Sequence, residues 1–353
     1  MGAERFGLSF GEIPSGETNR ITDVPGVLVG HKTLCSGDIQ TGVTAVLPHG
    51  GNLFREKVPA AVHVINGFGK TVGSIQMEEL GTLETPIVLT NTLSVGAAST
   101  ALVRHMLGQC PEIGDTSGTV NPVVCECNDM RLNDIRGLHI GEPDVLDALH
   151  SAGKDFAEGA VGAGRGMCCF QLKGGIGSAS RRLVFDGVPY TLGCLVLTNF
   201  GAMKDFLLCG APVGSFLAKN LSPQEDKGSC IVVLATDLPL STRQLKRIAR
   251  RAGVGISRTG GLCSNGSGEI ALAFSIANRI PHESGAAVRT CSVLAEEKLD
   301  EVFRAAAFVT EESIVSSMLH AETVTGRGGV TVKSLLDEYP GLLREFPQLA
   351  PQS

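Results

Sequence analysis

The chain has 353 residues, of which 43% are hydrophobic and 19% are charged, and its formal net charge at pH 7 is −6. An acidic chain with no Trp and two Tyr is poorly suited to nucleic acid, because it lacks the excess of cations that neutralises phosphates and the rings that stack on bases. No apolar run of about 18 residues is present, so we expect no membrane span.

The cysteines and the first residues of the chain limit its chemistry further. Eleven cysteines is an odd number, and the spacings Cys125-x-Cys127 and Cys168-Cys169 are not those of zinc sites. We therefore expect reduced cysteines in the core, and neither a metal nor a cofactor. Residues 1–7 lack the apolar segment of a secretory signal, so we expect a cytoplasmic protein.

In the first half of the chain, apolar runs rich in β-branched residues predict strands, and an alanine-rich stretch predicts a helix. The predicted strands lie within residues 19–31, Thr41–Leu47, Val58–Asn66, Pro86–Asn91 and Pro122–Asp129. The predicted helices are one that ends at Leu80 with Gly81 as its cap, one over Val95–Leu107 and one over Asp144–Ala157. The glycine clusters at 162–166 and 174–177 do not have dinucleotide-binding spacing, so we expect turns there.

The second half of the chain shows the same alternation. The predicted strands are Tyr190–Asn199, Ile231–Ala235 and Ile270–Ile276. The predicted helices are a basic one that begins after the N-cap Ser241 and a long amphipathic one over Leu299–Leu319. The tail from Tyr339 contains three prolines and is expected to be peripheral.

Gly228-Ser229 stands between a polar loop, 219–228, and the buried strand Ile231–Ala235. A serine at the mouth of a strand can attack the preceding carbonyl and split the chain, which would make Ser229 an N-terminal residue. Its new α-amine, with a pKa of roughly 7.7–8.0, can then act as general base for its own hydroxyl. The simpler interpretation is that Gly228-Ser229 only ends a loop.

Ser267 and Glu269 are two residues apart at the start of another predicted strand, so they would face the same side if that strand begins at Ser267. Polar groups also close two earlier strands, Glu126 in one and Asn199 in the other. Each has a structural alternative: Glu126 can cap a turn, Asn199 can satisfy backbone at a strand end, and Glu269 can pair with an arginine.

Taken together, these segments form a familiar ordered pattern. The blocks are Ile21–His31, Gly42–Pro48, Pro86–Gly96, Asn133–Gly137, Gly228-Ser229, Ala235–Asp237 and Ser267–Glu269. In this order they resemble the DmpA/BapA family of L-aminopeptidase/D-esterases and β-peptidyl aminopeptidases, over nearly the whole chain.

The resemblance implies an α/β fold, an intimate sandwich of the αββα type, as one domain over residues 1–353. It also implies a precursor that cuts itself into an α chain, 1–228, and a β chain, 229–353, which assemble as a homo-oligomer, a tetramer of αβ units. The implied activity is release of small N-terminal L-, D- or β-amino acids from peptides, amides or esters.

The resemblance assigns roles to individual residues. Ser229 is similar to the family's nucleophile, and Ser267 and Glu269 to the pair that orients it and binds its α-amine. Asn199 stands at the place of the oxyanion-hole amide, where a fixed donor is worth about 2.7–4 kcal/mol. Glu126 resembles the carboxylate that holds the substrate's ammonium, and the segments around Asn128 and Asn66 are expected to line the substrate pocket.

Two segments depart from the family pattern: Met130-Arg131 follows Asn128-Asp129, and Phe68 and Lys70 follow Asn66-Gly67. Both put the acyl-side preference in question. The alternatives are a metabolite amide hydrolase of the pantetheine-hydrolase type and an unprocessed relative that only binds or scaffolds. A Ser-His-Asp hydrolase is disfavoured, because no Gly-x-Ser-x-Gly surrounds Ser229.

Overall fold

The structure is a computed structural model that describes residues 6–220 and 228–342. Its strands are β1 (Leu28–Ser36), β2 (Ile39–Leu47), β3 (Glu56–Gly67), β4 (Thr82–Leu83), β5 (Ile87–Asn91), β6 (Val123–Cys127), β7 (Cys168–Cys169), β8 (Leu172–Lys173), β9 (Ile176–Phe185), β10 (Val188–Asn199), β11 (Ser229–Thr236), β12 (Gly268–Ser275), β13 (Ile280–Pro281), β14 (Val324–Thr325) and β15 (Thr331–Val332). Its helices are α1 (Ser74–Leu80), α2 (Val95–Gln109), α3 (Glu142–His150), α4 (Val213–Leu217), α5 (Thr242–Ala249), α6 (Ala252–Arg258), α7 (Leu299–Leu319) and α8 (Leu335–Glu338).

Two sheets form the centre of the molecule. The smaller has the strand order β1-β2-β5-β6, and the larger has the order β13-β3-β12-β11-β10-β9, with β4 paired to β3. In the larger sheet β11 runs parallel to β12, whereas β10 pairs antiparallel with β11 and β3 antiparallel with β12. The starts of β11 and β12 therefore meet the ends of β10 and β3 at one end of the sheet.

Three apolar layers hold the sheets and helices together. Between the sheets, residues such as Leu89 and Cys125 pack against Ile231 and Leu272. The other face of the larger sheet packs against α5, α6 and α7, and the other face of the smaller sheet packs against α2 and α3. This is the predicted αββα sandwich: its central strands β5, β6, β11 and β12 are buried at every residue, so each sheet is covered on both faces, by the other sheet and by helices.

Most predicted elements are present, and the long helix has the predicted bounds, Leu299–Leu319. The prediction of a helix over Asp144–Ala157 is wrong beyond His150. Gly153 instead exchanges two backbone hydrogen bonds with Val29 of β1, of 3.0 and 3.1 Å, so its backbone is committed to the sheet.

The expectation of turns in the glycine cluster 174–177 is wrong at Gly177, which lies inside β9. A Cβ on Gly177 would lie 1.9 Å from the carbonyl oxygen of Ser313, so the glycine allows α7 to approach the strand. Gly162–Gly164 forms a short 3₁₀ turn as expected. Most of the predicted loop 219–228 and of the tail after Tyr339 lies outside the described residues. Within those residues, no helix is long and apolar enough to cross a membrane.

Candidate active site

Neighbouring strands of the larger sheet bring the predicted site residues to one end. Asn199 is the last residue of β10, Ser229 the first of β11, and the two are directly paired. On the other side of Ser229, β12 begins with Gly268 as its pairing partner, and Glu269 pairs with Asn66 near the end of β3. Residues far apart in sequence thus meet because strand order and register align their ends.

Ser229 is 4% exposed, and its Oγ has no hydrogen-bond partner in residues 6–220 and 228–342. Its polar neighbour is the thiol of Cys127, which donates to the carbonyl of Leu197 at 3.6 Å. Burial raises the pKa of Cys127 well above its ordinary value, and contact with the Ser229 hydroxyl opposes this only in part. The thiol therefore stays neutral and cannot serve as a base for Ser229.

The backbone around Gly228 is tightly enclosed. A Cβ at this position would lie 2.0 Å from the carbonyl oxygen of Asn199 and 2.5 Å from the Cα of Phe200, so only glycine fits. The carbonyl oxygen of Gly228 accepts a hydrogen bond from the backbone N–H of Gly268, with an N···O distance of 3.1 Å. This N–H points at the oxygen that would become negatively charged if Ser229 attacked the Gly228 carbonyl.

Ser267 and Glu269 are in direct contact. Both are fully buried, and the Ser267 hydroxyl donates to Glu269 Oε1. The Asn66 side chain supports this segment, because its Nδ2 donates to the carbonyls of Ser264, at 2.9 Å, and of Ser267. The structure thus places Asn66 behind the Ser267 segment, and its predicted contact with substrate remains a prediction.

The Asn199 side chain is held at both ends. Its Oδ1 accepts from the Cys168 backbone N–H at 2.9 Å, and its Nδ2 donates to the Asn128 carbonyl at 2.9 Å. These two contacts fix which end of the amide is the donor. The exposed Asn128 side chain forms a local turn, with its Oδ1 accepting from Met130 N at 3.0 Å.

Glu126 is a buried carboxylate, 4% exposed, whose two oxygens both accept hydrogen bonds. Oε1 accepts from the Lys70 backbone N–H at 2.9 Å, and Oε2 accepts from the Thr92 hydroxyl. Both oxygens are therefore held in position by donors from the protein. Sequence reasoning missed the role of Thr92, although this residue lies in the block Pro86–Gly96 that contributed to the family pattern.

The two departures from the family pattern lie beside these groups. Phe68 is 62% exposed, and the Lys70 ammonium lies 4.4 Å from the centroid of its ring. Met130 is 54% exposed, next to the turn at Asn128. Both segments therefore present apolar surface near Glu126 and Asn199.

Asp129, next to Asn128, is fully buried and accepts from Asn133 Nδ2 at 3.0 Å. Burial raises its pKa to about 6, although hydrogen bonds from Thr41 and Asn133 act in the opposite direction. This carboxyl lies in the turn whose first carbonyl binds Asn199.

The chain is similar in sequence to known proteins over most of its length. The model of a family described as "Peptidase family S58" matches residues 19–332. A β-peptidyl aminopeptidase, BapA, of Sphingosinicella microcystinivorans is 39% identical and aligns over 99% of this chain and 93% of its own.

Solved structures agree with the sequence matches. A crystal structure of a protein from Pyrococcus horikoshii OT3 is 48% identical, with a TM-score of 0.95 and full coverage of both chains. The L-aminopeptidase D-Ala-esterase/amidase of Ochrobactrum anthropi, a prototype of the serine aminopeptidases with a variant of the Ntn hydrolase fold, is 38% identical. Its TM-score is 0.91, and 99% of each chain is covered.

The protein is thus a hydrolase of the serine aminopeptidase class, with a fold of the N-terminal-nucleophile (Ntn) type. The resemblance to the DmpA/BapA family expected from the sequence blocks is confirmed. The chain belongs to peptidase family S58.

Proposed function

We propose that the chain is a self-processing serine aminopeptidase that cuts itself between Gly228 and Ser229 into an α chain, 1–228, and a β chain, 229–353. The observation that supports this best is that the buried Ser229 hydroxyl, which has no hydrogen-bond partner among the described residues, follows a Gly228 carbonyl that already accepts from Gly268 N–H. A loop-ending Gly-Ser would need neither burial nor this contact.

Self-cleavage begins when Ser229 Oγ attacks the Gly228 carbonyl carbon. The hydroxyl proton passes to the departing amide nitrogen of Ser229, and the Gly228 acyl group is left as an ester on Oγ. Water then hydrolyses this ester, which gives a carboxylate at Gly228 and a free α-amine at Ser229. Gly268 N–H stabilises the oxyanion of the first step.

In the processed enzyme, the Ser229 α-amine removes the proton from Oγ as Oγ attacks the substrate carbonyl, and it passes that proton to the amine or alcohol that leaves. Water then hydrolyses the acyl ester on Oγ and frees the enzyme. The Ser267–Glu269 pair holds and orients that amine, since Glu269 is an acceptor fixed by the Ser267 hydroxyl. Asn199 Nδ2 has one proton on the Asn128 carbonyl, and the other binds the substrate oxyanion. Glu126, a carboxylate with fixed oxygens, binds the substrate's terminal ammonium.

These roles select substrates with a free N-terminal amine: small peptides, amides or esters of L-, D- or β-amino acids. The β-peptidyl relative supports β-amino acids as one class. The exposed Phe68 and Met130 favour an apolar group beyond the ammonium site. We further propose that the protein is cytoplasmic and that it forms a homo-oligomer. The surface groove lined by Val64 and Ile75 exposes apolar side chains, 51% and 86% respectively, which supports the second of these proposals.

The test compares wild type, Ser229→Ala and Ser275→Ala on p-nitroanilides of L-alanine, D-alanine and β-alanine, and on a pantetheine-like β-alanyl amide. Ser275 is a buried serine at the far end of β12, bonded to the Leu238 carbonyl, and serves as the control. Ser229→Ala should be folded, uncleaved and inactive, whereas Ser275→Ala should be cleaved and active. Cleavage or full activity in Ser229→Ala would refute the proposal, and the panel would separate a peptidase from a metabolite amidase.

A further inference from the structure

Lys173 is a fully buried cation near the candidate site that has no part in the mechanism above. It ends β8, and its ammonium donates to the backbone carbonyls of Met167, Gly174 and Gly164, at 2.6, 3.0 and 3.1 Å. The three N–H bonds of the ammonium are all used within this short segment. Since burying a cation is costly, such a lysine needs a reason beyond the packing of one hairpin.

One peptide group connects Lys173 to Asn199. Its carbonyl, from Met167, accepts from the Lys173 ammonium, and its N–H, from Cys168, donates to Asn199 Oδ1 at 2.9 Å. Asn199 Nδ2 then donates to the Asn128 carbonyl. In each hydrogen bond of this series the donor lies on the Lys173 side and the acceptor on the Asn128 side.

This arrangement has two physical consequences. A cation on a peptide oxygen draws electron density from the N–H of the same peptide, so each later donor in the chain becomes stronger, by about 10–30% per bond. The same contact fixes the plane of the 167–168 peptide, which keeps Asn199 Oδ1 turned toward Cys168 and Nδ2 turned away from it. In a buried, low-dielectric site both effects are larger than in water.

We propose that Lys173 is a positioning residue for hydrolysis, which acts through the 167–168 peptide group to orient and polarise the Asn199 amide. The inference rests on the proposed function, because it requires Asn199 to be the oxyanion donor. Lys173 itself touches neither substrate nor nucleophile.

The acid–base behaviour of Lys173 gives the proposal a specific readout. Burial lowers the pKa of Lys173 to about 8, and Arg165 acts in the same direction, whereas Cys168, Glu322 and Cys169 oppose it. The ammonium therefore loses its charge in mildly alkaline solution, and the part of the Lys173 contribution to turnover that depends on this charge should disappear there.

The first experiment measures kcat and KM of Lys173→Met on L-alanyl and β-alanyl p-nitroanilide at pH 7. We expect kcat to fall roughly tenfold, a part of the 100- to 1000-fold effect of an oxyanion donor, with KM within about twofold. Lys57→Met is the matched control, because Lys57 is 15% exposed and pairs with Glu84 at 2.6 Å at the other end of β3. Its kcat should equal that of wild type.

The second experiment asks whether Lys173 acts through Asn199. In an Asn199→Ala background, Lys173→Met should cause no further loss of kcat, because the amide on which Lys173 acts is absent. The ratio of wild-type to Lys173→Met kcat should also shrink toward one above about pH 8. If Lys173→Met does not fold, Lys173→Gln, which keeps two N–H donors without the charge, takes its place in both comparisons.

Losses that add in the double variant, or a ratio that stays constant between pH 7 and about pH 10, would overturn the role of Lys173. Those outcomes, together with a strongly impaired Asn199→Ala, would leave the proposed function intact. Wild-type activity in Asn199→Ala would instead show that Asn199 is not the oxyanion donor, and the proposed role of Lys173 would then have no basis.

Discussion

Asn199 and Ser229 lie directly opposite each other, as the last residue of β10 and the first residue of β11. Side chains of facing residues in an antiparallel pair lie on the same side of the sheet, with Cβ atoms about 4.5–5.5 Å apart. A carbonyl attacked by Ser229 would therefore develop its negative charge beside the Asn199 amide. The register of two strands, rather than any loop, brings nucleophile and donor together.

Asn199→Ala is expected to lower kcat by about 100- to 1000-fold with little change in KM, because an oxyanion donor acts mainly in the transition state. Steady-state kinetics on L-alanyl p-nitroanilide measures both constants. Asn121→Ala is the control, since that amide also binds backbone, the Gly73 carbonyl at 2.9 Å, but precedes β6. A large rise in KM at unchanged kcat would show that Asn199 binds substrate instead.

Glu269→Gln should reduce kcat by at least about 100-fold and leave KM nearly unchanged, because Glu269 acts on the amine that serves as base. The Ser267 hydroxyl would at the same time exchange a carboxyl acceptor for an amide group. Glu84→Gln, a change at another buried carboxylate, provides the control in the same assay. An effect on KM alone would count against a role in orienting the nucleophile.

Glu126→Gln should raise KM for substrates with a free ammonium by about 10- to 100-fold, because a buried charge pair is lost. The effect on kcat should be small. Thr92→Val removes only the hydroxyl on Oε2, so its KM should rise less. If Glu126→Gln lowers kcat at constant KM, the carboxylate belongs to the chemical step rather than to ammonium binding.

Gly228→Ala should give a full-length chain that does not split, because its Cβ would lie 2.0 Å from the carbonyl oxygen of Asn199. Gly96→Ala is the matched change, since a Cβ on Gly96 in α2 meets nothing within 4 Å. Denaturing gels of both variants after long incubation decide the point. Normal cleavage of Gly228→Ala would mean that the tight fit is not needed for processing.

The pKa of Asp129 predicts a pH-dependent change in stability. Its folded pKa, about 6, lies above its ordinary value of 3.8, so charging the buried group between these values costs folding free energy as pH rises. Asp129→Asn should therefore be more stable than wild type at pH 8, by about 1–3 kcal/mol, and no more stable near pH 4. Urea unfolding at the two pH values measures this, and an equal difference at both would contradict it.

Much of the fold follows from local pattern. Strands β3, β5 and β11 are predicted from runs of β-branched residues, and α7 from the period of its apolar residues. Both signals are properties of neighbouring residues, and so is the short spacing of Ser267 and Glu269. The helix over Asp144–Ala157 failed because its last residues bond to β1, which no local pattern encodes.

The rest of the candidate site depends on contacts between distant residues. The residues next to Asn199 in the sequence do not indicate that the Cys168 N–H fixes its amide. They also do not indicate that Lys173 binds the carbonyl of the 167–168 peptide group, to which this N–H belongs. The sequence also does not distinguish Lys173 from a surface lysine, because the partners of its ammonium are backbone carbonyls. Such relationships appear only once strand order and register are known.

The central claim is tested most directly by the intact mass of freshly purified wild-type protein under denaturing conditions. We predict two species, one ending at Gly228 and one beginning at Ser229, together with aminopeptidase activity. A single full-length species that hydrolyses aminoacyl amides would contradict the account, because Ser229 would then have no free α-amine to act as its base.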